Sequence, residues 1–354
     1  MPATTDVPGA TGDVRVERVA WDDPDARVLR DAQQAELRAR YGDDDVAHAM
    51  TGDGIVATVL VRLDGAPVAC GVLRDVSAGL GAGTGEVKRM YVRPDARGRG
   101  LSRRVLAELE DAARAHGCTR LVLETGVLQP EAIGLYLAAG YQPVENYGEY
   151  VGVVDSRCFE RDLAVTAPTP RGPAGRRDAV GQVAERAAEH TADPAQDHAV
   201  EHVAWQHPDA VTLRRAMLDE LAPLYPEHAA AGSGASPLVE GAPDGTALAT
   251  VLLRRDGVAV ACATLRAAPA WGARTGELKR LYVAPEARGA GLARRLVRLV
   301  EDAARERGLT RVVLDTGIRQ PAAIALYRSL GYRPVSPVAG WEALPFCLWF
   351  ARDL

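Results

Sequence analysis

Residues 86–102 read EVKRMYVRPDARGRGLS, and residues 277–293 read ELKRLYVAPEARGAGLA. Each begins with a β-like run, breaks at proline and an Arg-x-x-Gly-x-small turn, and continues into apolar residues at helical spacing, which for the first copy are Leu101, Val105, Leu109, Ala112 and Ala113. The offset is constant: positions 86, 97 and 136 recur at 277, 288 and 327, each 191 residues later. About three in five positions match between 85–144 and 276–335, and so long a period means two whole domains rather than a solenoid.

The same order of elements extends outward from both copies. Upstream lie a first strand near 14–19 and a helix near 24–40, whose counterpart begins at Pro208. Asp64-Gly65 and Asp256-Gly257 separate β runs 55–63 and 66–73, and 247–255 and 258–265, as hairpin turns. Downstream come a helix stopped by Gly117 or Gly308, a β run at 120–124, and a second helix opened by Gln129-Pro130 and closed by Gly140. An antiparallel hairpin combined with one strand-helix-strand crossover predicts an α/β fold of the α+β kind, each domain a mixed, mostly antiparallel sheet flanked by helices. The expected organisation is a leader at 1–12, domain 1 at 13–163, a Pro/Ala/Gly-rich linker at 164–198 with a possible short helix at 180–190, and domain 2 at 199–354.

The 354 residues carry a formal charge of −5, with acidic residues concentrated in the first half, which argues against nucleic acid as a partner. No run approaches the ~18 apolar residues of a membrane span, and the first residues do not read as an export signal, so the cytoplasm is the expected location. Five cysteines at 70, 118, 158, 262 and 347 form no C-x-x-C pair, and the histidines at 190, 198, 202 and 207 fit no metal pattern, so no metal is expected. The chain has two lysines, Lys88 and Lys279, at the same repeat position; arginine supplies every other fixed cation. A compact ammonium is wanted there, or a shared ancestor left it.

The turns Arg97-Gly98-Arg99-Gly100-Leu101-Ser102 and Arg288-Gly289-Ala290-Gly291-Leu292-Ala293 sit between a strand and a helix N-terminus, where outward N–H groups and the helix dipole favour a phosphate. A plain tight turn would also need glycine. The segment 79–85 is glycine-rich too, but a strand follows it, so it is read as a flexible connection rather than a dinucleotide fingerprint.

The Arg-x-x-Gly-x-Gly/Ala turn after a strand, followed by a helix ending Tyr-x-x-x-Gly-Tyr, resembles the GNAT superfamily of acetyl-CoA-dependent N-acetyltransferases, over both halves nearly end to end. Ser102 departs from the usual Gly or Ala. The resemblance implies that the two turns bind the pyrophosphate of acetyl-CoA, used as co-substrate, and that the backbone of Met90, Tyr91 and Val92, and of Leu281, Tyr282 and Val283, pairs with the pantetheine arm. The family's usual bulge here would shift which face each side chain takes.

It also implies roles for four side chains. Glu86 and Glu277 match a general-base position, with a strand carboxylate paired with Lys88 or Lys279 as the other reading. Tyr136 and Tyr327 match the residue that supports the departing thiolate, or are core packing. Direct transfer to the primary amine of a small molecule is expected, both lobes binding CoA while their acceptor sides, Gly148-Glu149-Tyr150 against Gly340-Trp341-Glu342, have diverged. Two alternatives remain: a mycothiol-synthase-like step in thiol-cofactor synthesis, and a non-catalytic acyl-CoA sensor or scaffold. The lobes are expected to pack as an intramolecular pseudo-dimer.

Overall fold

The computed structural model describes residues 12–42, 50–164, 198–226, 246–338 and 346–354. Nearly all of the leader and of the linker with its possible helix, and the Gly340-Trp341-Glu342 segment, lie outside the described residues. The chain divides into two compact units, each with its own seven-stranded sheet.

Lobe 1 runs β1 (Val14–Val19), α1 (Pro24–Tyr41), β2 (Ile55–Leu63), β3 (Ala66–Asp75), α2 (Ser77–Leu80), β4 (Thr84–Val92), α3 (Leu101–His116), β5 (Arg120–Gly126), α4 (Pro130–Ala138), β6 (Gln142–Val144) and β7 (Ser156–Asp162). Its sheet order is β1-β2-β3-β4-β5-β7-β6, and every pairing is antiparallel except β4 with β5. That exception is the crossover through α3. Lobe 2 repeats the plan with β8 (Ala199–Val203), α5 (Pro208–Leu221), β9 (Ala247–Arg255), β10 (Val258–Ala267), β11 (Thr275–Val283), α6 (Leu292–Glu306), β12 (Arg311–Gly317), α7 (Pro321–Ser329), β13 (Arg333–Pro334) and β14 (Cys347–Asp353).

Helices cover both faces because adjacent strand residues point opposite ways. Ala26 and Leu29 of α1 pack on Leu60 and Cys70, whereas Val105 and Leu109 of α3 approach the backbone of the next residue, Gly71, from the other side. Asp23 caps α1 by accepting from the Ala26 N–H at 2.9 Å, with Pro24 in the first turn where its missing donor costs nothing. Two strands run longer than the sequence suggests: β3 reaches Asp75 and β5 reaches Gly126. The glycine-rich connection holds the short helix α2, tied down where the Asp75 carboxylate accepts from the Ser77 N–H at 2.7 Å.

Candidate active site

β4 and β5 pair only from Thr84↔Arg120 to Val87↔Leu123, yet β4 continues to Val92 and β5 to Gly126. The strands therefore splay into a wedge. A bulge lies at its root: pairing with β3 jumps from Val72↔Lys88 to Cys70↔Tyr91, so Gly71 faces both Arg89 and Met90. Arg89 has φ 56°, a left-handed conformation that costs a non-glycine residue about 1–2 kcal/mol. Lobe 2 repeats the strain at Arg280, φ 57°, with a register shift between Cys262 and Thr264. The expected phase shift is thus present in both lobes.

In lobe 1 the wedge opens into a cleft of about 760 Å³, bordered by α1, the glycine turn, α4 and residues 152–156. Gly98 and Gly100 have φ 79° and 76°, and Gly100 stands at the N-terminus of α3 with no side chain capping it. Gly289 and Gly291 take φ 81° and 77° ahead of an equally uncapped α6. Uncapped N–H groups beside exposed Arg99 suit a phosphate. Ser102 lines the cleft of lobe 1, and Ala293 holds its place in α6. Leu101 and Leu292, by contrast, are buried, and they anchor their helices.

The first arginine of each turn is committed elsewhere. Arg97 Nε donates to the Val92 carbonyl at 3.0 Å and its Nη2 to Glu36 at 2.6 Å, with the guanidinium 5.8 Å from the Tyr91 ring centre. Arg288 does the same with Val283 at 3.0 Å, Glu220 at 2.5 Å and Tyr282 at 5.7 Å. These side chains fasten α1 to β4, and α5 to β11. On the same strand the Met90 carbonyl accepts from Gln33 Nε2 at 3.2 Å.

Glu86 is 1 % exposed and does not line the cleft. Its carboxylate accepts from Arg74 Nε at 2.5 Å and from the Tyr147 hydroxyl at 3.1 Å, with Lys88 Nζ 3.8 Å away. Glu277 is likewise buried, bound to Arg266 Nε at 2.5 Å and Lys279 Nζ at 2.9 Å. Both occupy the strand ahead of the bulge, where the side chain joins a cross-strand ion pair.

Tyr136 does line the cleft; its ring packs edge-on to Tyr141 at 5.9 Å, and its hydroxyl has no hydrogen bond among the described residues. Burial raises its pKa above that of a free phenol, as it does for Tyr327, so both stay protonated. Tyr327 packs on Tyr332 with ring centres 5.9 Å apart and the rings tilted.

Sequence reasoning missed Glu124. It sits at the open end of β5, twelve residues before Tyr136, and lines the same cleft. The Ser156 hydroxyl donates to its Oε1 at 2.6 Å. Burial pushes its carboxyl above the usual range, only partly opposed by Ser156 and Lys88. Lys88 itself turns away, donating to the Tyr150 hydroxyl at 2.5 Å and to Glu149 at 3.2 Å. Beside Glu124, the Tyr41 hydroxyl accepts from the Leu128 N–H at 2.8 Å and lies against Gly126, where any side chain would collide with it.

The wedge, the uncapped turn, a buried carboxyl and a phenol thus border one cleft in lobe 1. The chain belongs to the Acetyltransferase (GNAT) family, which matches residues 17–141 and 214–332, so that two such domains stand in tandem. An IAA acetyltransferase from Azospirillum brasilense is 44 % identical over 92 residues, covering 26 % of this chain and 58 % of that protein. Human N-acetyltransferase 8 is 40 % identical over 73 residues, 21 % of this chain and 30 % of that protein. The chain thus spans between about three tenths and three fifths of these relatives. A Salmonella typhimurium protein solved with its cofactor acetyl-CoA aligns at 17 % identity and TM-score 0.35, covering 45 % of this chain and 99 % of that one. No helix among the described residues is long and apolar enough to cross a membrane.

Proposed function

We propose that lobe 1 transfers an acetyl group from acetyl-CoA directly to the primary amine of a small molecule. The observation that carries this is the meeting of Glu124 and Tyr136 in one cleft with the uncapped glycine turn. Acetyl-CoA supplies an activated thioester carbonyl and a thiolate leaving group. Gly98 to Ser102 hold the pyrophosphate, and the β4 backbone from Met90 to Val92 aligns the pantetheine arm.

Glu124 takes the proton from the incoming ammonium, so that the amine lone pair is free to form the new C–N bond. Its raised pKa makes it a stronger base than an ordinary carboxylate. Tyr136 gives its hydroxyl proton to the sulfur as the C–S bond breaks, the second proton lost by the acylated nitrogen restores the phenol, and the proton held on Glu124 leaves to solvent. Glu86 supports β4 through Arg74 and Tyr147 rather than touching the acceptor. Burial pushes the Cys70 and Cys262 thiols up to about 12, so neither offers a thiolate for an acyl-enzyme, which supports direct transfer.

Thiol release from acetyl-CoA across a panel of polyamines, amino acids and aromatic amines tests this reading. Amine-dependent release that Glu124→Gln lowers by about 10²–10⁴ is the expected result. Stoichiometric CoA binding without release over the whole panel refutes it.

A further inference from the structure

The counterpart of Glu124 in lobe 2 is Asp315, again at the open end of its strand and twelve residues before a tyrosine, Tyr327. Its surroundings differ. Lys279 forms a short ion pair with Asp315 Oδ1 while also lying 2.9 Å from Glu277 Oε1, so one ammonium bridges both carboxylates. The three side chains are 17 %, 15 % and 6 % exposed. In lobe 1 the equivalent Lys88 is drawn off by the Tyr150 hydroxyl and Glu149, and no hydrogen bond or ion pair joins it to Glu124 among the described residues.

We propose that Lys279 is a built-in occupant of the acceptor-ammonium position in lobe 2, so that this lobe holds acetyl-CoA without transferring to cationic amines and lobe 1 carries the turnover. The proposal rests on the assignment of the proton acceptor to Glu124 in lobe 1.

Three features carry it. An ammonium acceptor needs a carboxylate with a free lone pair and no cation beside it, whereas Asp315 faces Lys279, and Arg280 and Arg266 add to the positive field. Glu277 faces Arg266 and Lys279, and Cys347 Sγ lies 3.8 Å from Asp315 Oδ2 where lobe 1 has the Ser156 hydroxyl. Asp is one methylene shorter than Glu, which keeps its carboxylate back against β11 and within reach of Lys279. The pKa directions agree with this geometry. Burial alone would raise Asp315, but Lys279 and the two arginines outweigh it and hold it below the usual range, while the Glu124 carboxyl is raised. The glycine turn and the bulge of lobe 2 are retained, so the cofactor half of the site is unaffected.

Because the chain has only two lysines, a lysine-selective ¹⁵N spectrum of the full protein resolves the occupant without any acceptor. The expected result is a slowly exchanging NζH₃⁺ signal that Lys279→Met removes and Asp315→Asn shifts, with no response to Glu124→Gln. A Lys279 signal that exchanges like a free surface ammonium and ignores Asp315→Asn overturns the proposal.

The turnover arm uses whichever amine the panel identifies. Glu124→Gln is expected to lose at least 100-fold and Asp315→Asn less than twofold; a comparable loss in both overturns the division of labour. Glu149→Gln combined with Tyr150→Phe should release Lys88 towards Glu124, lowering kcat/KM and moving its acid limb to lower pH; an unmoved limb also counts against the proposal. Should no amine be turned over, the transfer reading fails while the ¹⁵N spectrum still decides the state of Lys279.

Discussion

Ser156→Ala is the most discriminating small change in lobe 1. The Ser156 hydroxyl donates to Glu124 Oε1 at 2.6 Å, and it opposes the effect of burial by favouring the ionised carboxylate. A hydrogen bond to a charged group contributes about 1.5–3 kcal/mol. At roughly 1.4 kcal/mol per pH unit, its loss should raise the Glu124 pKa by about 1–2 units. Transfer requires the ionised form, so the sign is fixed: the acid limb of kcat/KM moves to higher pH, while the plateau rate above the new pKa changes little. The assay is thiol release over a pH series, fitted separately for kcat/KM and kcat. Ser156→Cys, the residue lobe 2 carries as Cys347, should move the limb by a smaller amount, since a thiol donates weakly. A limb that stays in place while the plateau falls would refute Glu124 as the titrating base.

Tyr136→Phe should lower acetyl transfer by about 10²-fold or more, with little change in thermal stability because its hydroxyl makes no hydrogen bond among the described residues, and kinetics with and without an acyl donor of better leaving group separate the two effects. Gly126→Ala should destabilise lobe 1 by about 1–3 kcal/mol through collision with the Tyr41 hydroxyl, and adding Tyr41→Phe should recover part of that; additive losses in urea unfolding would show the contact is not made. Lys279→Met leaves Glu277 and Asp315 without their bridging cation and should cost lobe 2 about 3–5 kcal/mol, read as a lowered melting transition by calorimetry. Since the Asp315 pKa is depressed in the fold, its contribution is full above the ordinary carboxylate value of about 4 and is lost as pH falls through the folded value, so the difference between the two proteins should shrink in acid.

The repeat, the mixed sheet and the glycine turn were legible because each is written in local sequence: a constant offset, alternating β runs, and glycines at positions of positive φ. The carboxylate proposed here as proton acceptor was not. Whether a strand carboxylate faces core or cleft depends on the bulge at Arg89 and on where β4 and β5 part company, both set by pairing with distant strands. Glu86 lies ahead of that bulge and is taken by Arg74, a partner on the neighbouring strand that no spacing along β4 reveals. A signal for Glu124 did exist. A carboxylate stands twelve residues before the motif tyrosine in both copies, Glu124 before Tyr136 and Asp315 before Tyr327. The different fates of Lys88 and Lys279 were invisible, since they turn on contacts made across the sheet.

The bond from Gln33 to the Met90 carbonyl already uses one of the two lone pairs to which the proposed pantetheine contact in lobe 1 would be made. A carbonyl has a second lone pair to offer, but two donors on one oxygen share its partial charge, so the bond a docking pantetheine arm gains there is weaker than one to an unpartnered carbonyl. At the same point on α5, lobe 2 carries Met217, which has no amide to give. Its strand starts without that competitor, and a hydrogen bond of about 1 kcal/mol corresponds to roughly fivefold in affinity. As acetyl-CoA rises from scarcity, the lobe that fills first would then be lobe 2, the one proposed to keep acceptors out.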